Sequence, residues 1–201
     1  MIKNVIFDIA QVLVRYEPQL LAGRVVNGKA LAEATTQAVI QFADWGKVDT
    51  GEFTEEELFR KIAEANPHCA EGIMQFYERW YEVFYRMDGM EELVARLDRA
   101  GYQLYYLSNF PGRAFEYVKD NFEVFQYVRQ GLVSYEVGLV KPDPAIYKAL
   151  TDRFHIVPQE SVFTDDRREN TKAAAQLGFY NHTFSTPRFL EQYLVDLGLE
   201  F

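Results

Sequence analysis

Four short polar clusters in this chain each follow or lie within an apolar stretch: Asp8 after VIF, Ser108-Asn109 after LYYL, Lys141 in VGLVKPDP, and Asp165-Asp166 after VFT. Together they offer two or three carboxylates, a hydroxyl and an ammonium. That set suits a divalent cation facing a phosphate, because hard cations prefer carboxylate oxygen and a phosphate needs donors and positive charge. Taken singly, each cluster says little. An Asp after a strand is commonly a turn or helix-cap residue, and Ser108-Asn109 alone reads equally well as a cap. The adjacent pair Asp165-Asp166 says more, since neighbouring carboxylates repel and call for a metal, a cation or solvent.

The elements that must position these residues follow from the runs around them. Residues 3–7 (KNVIF), Gln103 to Leu107 and Ser161 to Thr164 are β-branched and aromatic runs that predict buried strands. Tyr180 to Phe184 predicts a last strand, and Tyr127 to Arg129 a weaker one. Between them lie helical patterns: one through Leu93 and Leu97 that stops at Ala100-Gly101, and one near Arg113 to Lys119. Another is led in by Pro142 and Pro144 and runs through Leu150, and a fourth spans Glu169 to Leu177. Alternating strands and helices predict an α/β fold, a Rossmann-like doubly wound parallel sheet with helices on both faces. Ligands of such sheets bind beyond the carboxyl ends of the strands, where the polar clusters fall.

From Glu17 to about Ala100 the period is helical and no strand is predicted. Leu20, Leu21, Val25 and Val26 form one stretch, Asn27-Gly28 breaks it, and Leu31 to Phe42 resumes it. Asp49-Thr50-Gly51 reads as a turn, Thr54 with Glu57 as a capping box, and a further helix is predicted from about Ala70 to Arg86. The expected division is therefore an α/β core of residues 1–15 and 91–201 with a helical insertion at 16–90. On a single helix, FYERWYEVFY places Phe76, Trp80 and Phe84 in one row and Tyr77, Tyr81 and Tyr85 in the next. The first row suits packing within the insertion, and the tyrosine hydroxyls suit a cleft.

The chain has 201 residues, with 21 Lys plus Arg against 30 Asp plus Glu, a net charge of −9 and 48% apolar residues. This composition suits a folded domain and disfavours disorder or a disulfide scaffold. Its acidity argues against nucleic acid and anionic membrane as partners, which require a basic footprint. The single Cys69 cannot form an internal disulfide, and the first apolar run is interrupted by Asp8 with no cleavage pattern after it. No run approaches the roughly 18 apolar residues of a membrane span. A cytoplasmic location is expected.

The segments VIFDIAQVLV, YYLSN, VGLVKPDPAIY and SVFTDDRREN, in that order, resemble the four motifs of the haloacid-dehalogenase-like (HAD) superfamily. The helical insertion falls where that family places its type 1 cap. The pattern is most similar to the small bacterial sugar-phosphate phosphatases, α-D-glucose-1-phosphate phosphatase among them, and more distantly to the phosphatase domain of epoxide hydrolases. The resemblance implies a Mg2+-dependent phosphatase of a small phosphorylated metabolite. Asp8 would be the nucleophile that forms an aspartyl-phosphate. Ser108 and the backbone N–H of Asn109 would bind phosphoryl oxygens, and Lys141 would neutralise phosphate and nucleophile together. Asp8, the carbonyl of Ala10 and Asp166 would ligate Mg2+, supported by Asp165, with Asn170 orienting the metal's waters.

One position departs from the family pattern. Most HAD phosphatases carry a second Asp two residues after the nucleophile as general acid and base, and here Ala10 stands there. Loss of such a group typically costs about 10²- to 10⁴-fold, so alkyl phosphates are expected to be slow and esters with good leaving groups less affected. Two alternatives remain open: a weak or silent HAD protein that binds a phosphorylated ligand or a protein partner, and a 2-haloacid dehalogenase. The dehalogenases usually carry Tyr at the Ala10 position and Ser-Asn at Asp165-Asp166.

Remaining candidates are secondary. Gln11 suits a turn, with positioning of water or substrate as its functional alternative. Trp45 and Arg15-Tyr16 lie where the insertion meets the core and are candidates for specificity. His68, His155 and His182 lack metal-ligand spacing, Cys69 lacks catalytic partners, and Arg167-Arg168 suits pairing with the acidic residues or exposure to solvent.

Overall fold

A computed structural model of residues Met1–Phe201 contains a five-stranded parallel sheet in the order β5-β4-β1-β6-β7. Its strands are β1 (Asn4–Phe7), β4 (Gln103–Ser108), β5 (Gln130–Val133), β6 (Ser161–Asp165) and β7 (Tyr180–Thr183). β2 (Val14–Tyr16) and β3 (Phe84–Arg86) form a separate antiparallel ribbon. Strand order reverses at β1, between β4 on one side and β6 on the other, which makes the carboxyl ends of these strands the switch point of a doubly wound sheet.

Every residue of β1 is buried, as expected of a strand covered on both faces. Alternation sends Ile6, with Tyr105, Leu107 and Phe163, toward the helices Pro144–Phe154 and Arg168–Gln176. Val5 and Phe7, with Leu104, Tyr106 and Val162, face the other way. There they join a cluster that includes Val94, Phe115 and Leu190 of the helices Met90–Arg99, Gly112–Asn121 and Pro187–Asp196. The same apolar cluster continues into the helical block between the ribbon strands, through Leu58, Phe59, Ile62, Phe76 and Trp80. Two buried polar residues, Glu55 and Ser134, link that block to the α/β core. Glu55 accepts hydrogen bonds from Ala114 N at 3.1 Å and Tyr81 Oη at 2.7 Å. Ser134 Oγ donates to the carbonyl of Asp49 at 2.5 Å.

The structure corrects three expectations. The region 17–100 is not strand-free, because Phe84–Arg86 pairs with Val14–Tyr16. Strands this short leave no readable alternation, and their partners lie at opposite ends of the insertion. The helix expected from Ala70 to Arg86 ends at Glu78 and gives way to a 3-10 turn, Trp80–Val83, before β3 begins. The aromatic rows are therefore broken. Phe84 points into the core, while Tyr85 lies under the guanidinium groups of Arg15 and Arg24. The weak strand expected at Tyr127–Arg129 lies instead at Gln130–Val133, with Val124, Phe125 and Val128 buried ahead of it. Gly131 conceals β5 in the sequence, yet a Cβ there would meet the carbonyl of Tyr106 at 2.2 Å, so the close strand approach requires glycine. The helix Pro187–Asp196, with Thr186 capping Phe189 N, was not anticipated, although Thr186-Pro187 is a helix-start signal.

Candidate active site

Asp8 follows β1, Ser108 ends β4, Asp165 ends β6, and Lys141 precedes the helix Pro144–Phe154. The fold brings all four together. One oxygen of Asp8, Oδ1, receives three donors: Ile9 N at 2.7 Å, Ser108 Oγ at 2.6 Å and Lys141 Nζ at 2.9 Å. Lys141 Nζ also bonds Asp165 Oδ2 at 2.6 Å and the carbonyl of Leu107 at 2.9 Å, so all three ammonium protons have acceptors. Asp165 receives Arg167 N on Oδ1 and the amide of Asn170 on both oxygens.

Asn109 contributes in a way the sequence did not indicate. Its amide donates to the carbonyl of Lys141 at 2.9 Å and its Oδ1 accepts from Lys141 N at 2.7 Å. This two-bond clamp holds the backbone of the lysine, so the ammonium is fixed at its base as well as at its tip.

Burial pushes the Asp8 carboxyl up to about 7; Lys141 opposes the shift and Asp165 adds to it. For Lys141 burial acts against the charge, but the carboxylates of Asp8 and Asp165 outweigh it and hold the ammonium above its ordinary value. The exposed Asp166 is raised as well, first by partial desolvation and then by Asp165.

Carboxylate oxygens of Asp8, Asp165 and Asp166 lie within 4.8 Å of one another. These are hard oxygen donors of the kind a small divalent cation takes. Asp8 keeps one oxygen free of protein hydrogen bonds, and Asn170 has a buried Oδ1 with no protein partner. Unused acceptors beside clustered carboxylates fit a hydrated cation.

A cavity of about 230 Å³ adjoins this cluster through Ala10 and Asn109 and is walled by Tyr16, Trp45, Trp80 and Phe84. Asp49 also lines it. Its carboxylate makes no hydrogen bond or ion pair with the protein, and burial pushes it up to about 7 against the opposing charges of Lys141 and Arg167. Within a sequence that reads as the turn Asp49-Thr50-Gly51, nothing marks this residue as part of a site.

The secondary candidates separate clearly. Tyr16 and Trp45 line the cavity, whereas Tyr77, Tyr81 and Tyr85 do not; the Trp80 and Phe84 of the other row do. Gln11 spends its amide on the backbone of Tyr16, which is a turn role. Arg167 pairs with Glu169 rather than with the aspartates. His68 and His155 are exposed, His182 bonds Thr164, and Cys69 is buried away from any partner. No helix is long and apolar enough to cross a membrane.

Comparison with known proteins addresses the family and the fold. Residues 2–178 match the haloacid dehalogenase-like hydrolase family. A chloroplastic flavin mononucleotide hydrolase 1 of Arabidopsis thaliana is 27% identical over 156 residues, covering 77% of this chain but only 62% of that relative, so the chain spans less than two thirds of its length. A D-ribitol-5-phosphate phosphatase of Bacteroides thetaiotaomicron is 23% identical across 89% of this chain and 90% of its own. Among solved structures, a HAD family enzyme of Bacteroides thetaiotaomicron in complex with magnesium and inorganic phosphate superposes with a TM-score of 0.71 and 26% identity, covering 93% and 96% of the two chains. The L-2-haloacid dehalogenase of Xanthobacter autotrophicus, at 18% identity and a TM-score of 0.66 over 98% of this chain and 83% of its own, shares the fold alone. With a family match over most of its length and carboxylates gathered at the switch point of its sheet, the chain belongs to the haloacid dehalogenase-like hydrolases.

Proposed function

We propose that this protein is a Mg2+-dependent phosphatase of small phosphate esters, sugar phosphates or similar metabolites, and that it works through an aspartyl-phosphate on Asp8. The observation that carries this reading is the set of three donors on one oxygen of Asp8, which fixes the carboxylate beside Lys141 and the acidic cluster. Asp8, the carbonyl of Ala10 and Asp166 would hold Mg2+, with Asp165 braced behind them by Lys141 and Asn170. A bound Mg2+ supplies the charge that lets an anionic carboxylate meet an anionic phosphate. Ser108 and the N–H of Asn109 bind phosphoryl oxygens, and Lys141 neutralises the charge that develops between nucleophile and phosphate. Residues 16–90 serve as a cap over the cleft, which suits small substrates. Relatives named as a flavin mononucleotide hydrolase and a ribitol-phosphate phosphatase support the substrate class.

Ala10 offers no proton to the leaving oxygen. Without a proton from another group, alkyl phosphates turn over slowly relative to acyl, aryl or anomeric phosphates, whose leaving groups need less protonation. Ala10 also supports a second reading, in which the protein binds a phosphorylated ligand without turning it over. A phosphate-release screen over sugar phosphates, nucleotides and acyl phosphates with Mg2+, run beside Asp8→Asn, separates the two. Release that vanishes in Asp8→Asn supports the phosphatase; equal background from both proteins supports the binding protein.

A further inference from the structure

Cleavage of a phosphate ester leaves an alkoxide unless a proton reaches the departing oxygen, and the residue two positions past Asp8 has none to give. The cavity lined by Ala10 is also lined by Asp49, whose carboxylate makes no hydrogen bond or ion pair with the protein. The backbone that carries it is held in place. The buried Ser134 donates to the carbonyl of Asp49 at 2.5 Å and accepts from Phe110 N at 3.0 Å, bolting the end of the helix Trp45–Asp49 to the loop after β4. Other walls of the cavity are mainly apolar, so a leaving group lodged there meets Asp49 and the phenol of Tyr16 as its ionisable neighbours.

We infer that Asp49 is the general acid and base of this site, supplied by the helical insertion in place of the carboxylate missing at position 10. The inference rests on the phosphatase reading. As an oxygen of Asp8 bonds to phosphorus, the bond from phosphorus to the leaving oxygen breaks with its electron pair, and that oxygen takes the proton of Asp49. The Asp49 carboxylate then accepts a proton from water as the water oxygen bonds to phosphorus. The bond to Asp8 breaks, which frees inorganic phosphate and returns Asp8 to its carboxylate and Asp49 to its acid. A carboxyl held near 7 can serve in both directions at neutral pH. The Tyr16 phenol, raised by burial and by Asp49, stays protonated there and cannot act as the base.

The test compares wild type, Asp49→Asn, Tyr16→Phe and Asp8→Asn on aryl phosphates of graded leaving-group acidity and on one alkyl phosphate, with Mg2+. Asp49→Asn is expected to lose about 100-fold in kcat/KM on the alkyl ester and little on the most acidic phenol, and to accumulate phosphorylated protein by mass spectrometry. Placing an acid at position 10 by Ala10→Asp in that background restores the alkyl ester. A uniform loss across leaving groups, no loss, or the graded loss appearing in Tyr16→Phe instead overturns the role of Asp49 while leaving the nucleophile intact. Full activity in Asp8→Asn overturns the phosphatase reading and the inference with it.

Discussion

The floor and the wall of this site are built on opposite principles. On the floor, at the carboxyl ends of β1, β4 and β6, Asp8, Ser108, Lys141 and Asp165 are buried and bonded to one another at 2.6–2.9 Å. The wall, from the insertion and the ribbon, is aromatic and holds one carboxylate without a partner. A closed network of buried charges has one low-energy arrangement, which suits the constant part of the chemistry at the phosphate. An apolar wall makes few directional demands on a group placed against it. On the proposed phosphatase reading, the sheet carries the reaction and the insertion bears on selectivity.

The largest test of the comparison is at the floor. Asp8→Asn should lower Mg2+-dependent phosphate release by at least about 10³-fold while thermal unfolding changes little. Residual turnover near wild type would mean that the floor is not the reaction centre. Lys141→Met should remove the charge between two buried carboxylates and cost about 3–5 kcal/mol in metal-free urea unfolding. If the loss is below about 1 kcal/mol, as for an exposed pair, the floor is wetter and looser than the bonding of Lys141 implies.

Wall changes should be smaller and selective. Trp45→Ala removes an aromatic side of the cavity and should cut kcat/KM for an aryl phosphate roughly tenfold, with little effect on acetyl phosphate. Equal losses on both would show that wall and floor act as one unit. The smallest effect is one of stability against pH. Asp49 is raised from 3.8 to about 7 in the folded protein, so between those values the unfolded chain releases a proton that the folded chain keeps. Folding is therefore weakened as pH rises through that window, with the full penalty above about 7. Metal-free Asp49→Asn should gain stability relative to wild type between pH 4 and pH 8, measured by urea unfolding; a parallel pH dependence in both proteins would remove the case for a raised Asp49.

The features legible in the chain before folding are local. Asp8, Ser108, Lys141 and Asp165 could be found because each sits a residue or a loop away from an apolar run, and burial on both faces of a parallel sheet forces such runs to be continuous. The capping box at Thr54 and Glu57 was legible for the same reason, since both partners lie within one helical turn. Pairings between distant segments depend on the folded chain. It set the ribbon of Val14–Tyr16 with Phe84–Arg86, the start of β5 at Gln130, the clamp of Asn109 on Lys141, and the meeting of Asp49 with Ala10 across one cavity. Aspartate in a turn carries no mark of the field it will meet, because its burial and its distance from Lys141 exist only once the insertion has packed against the sheet.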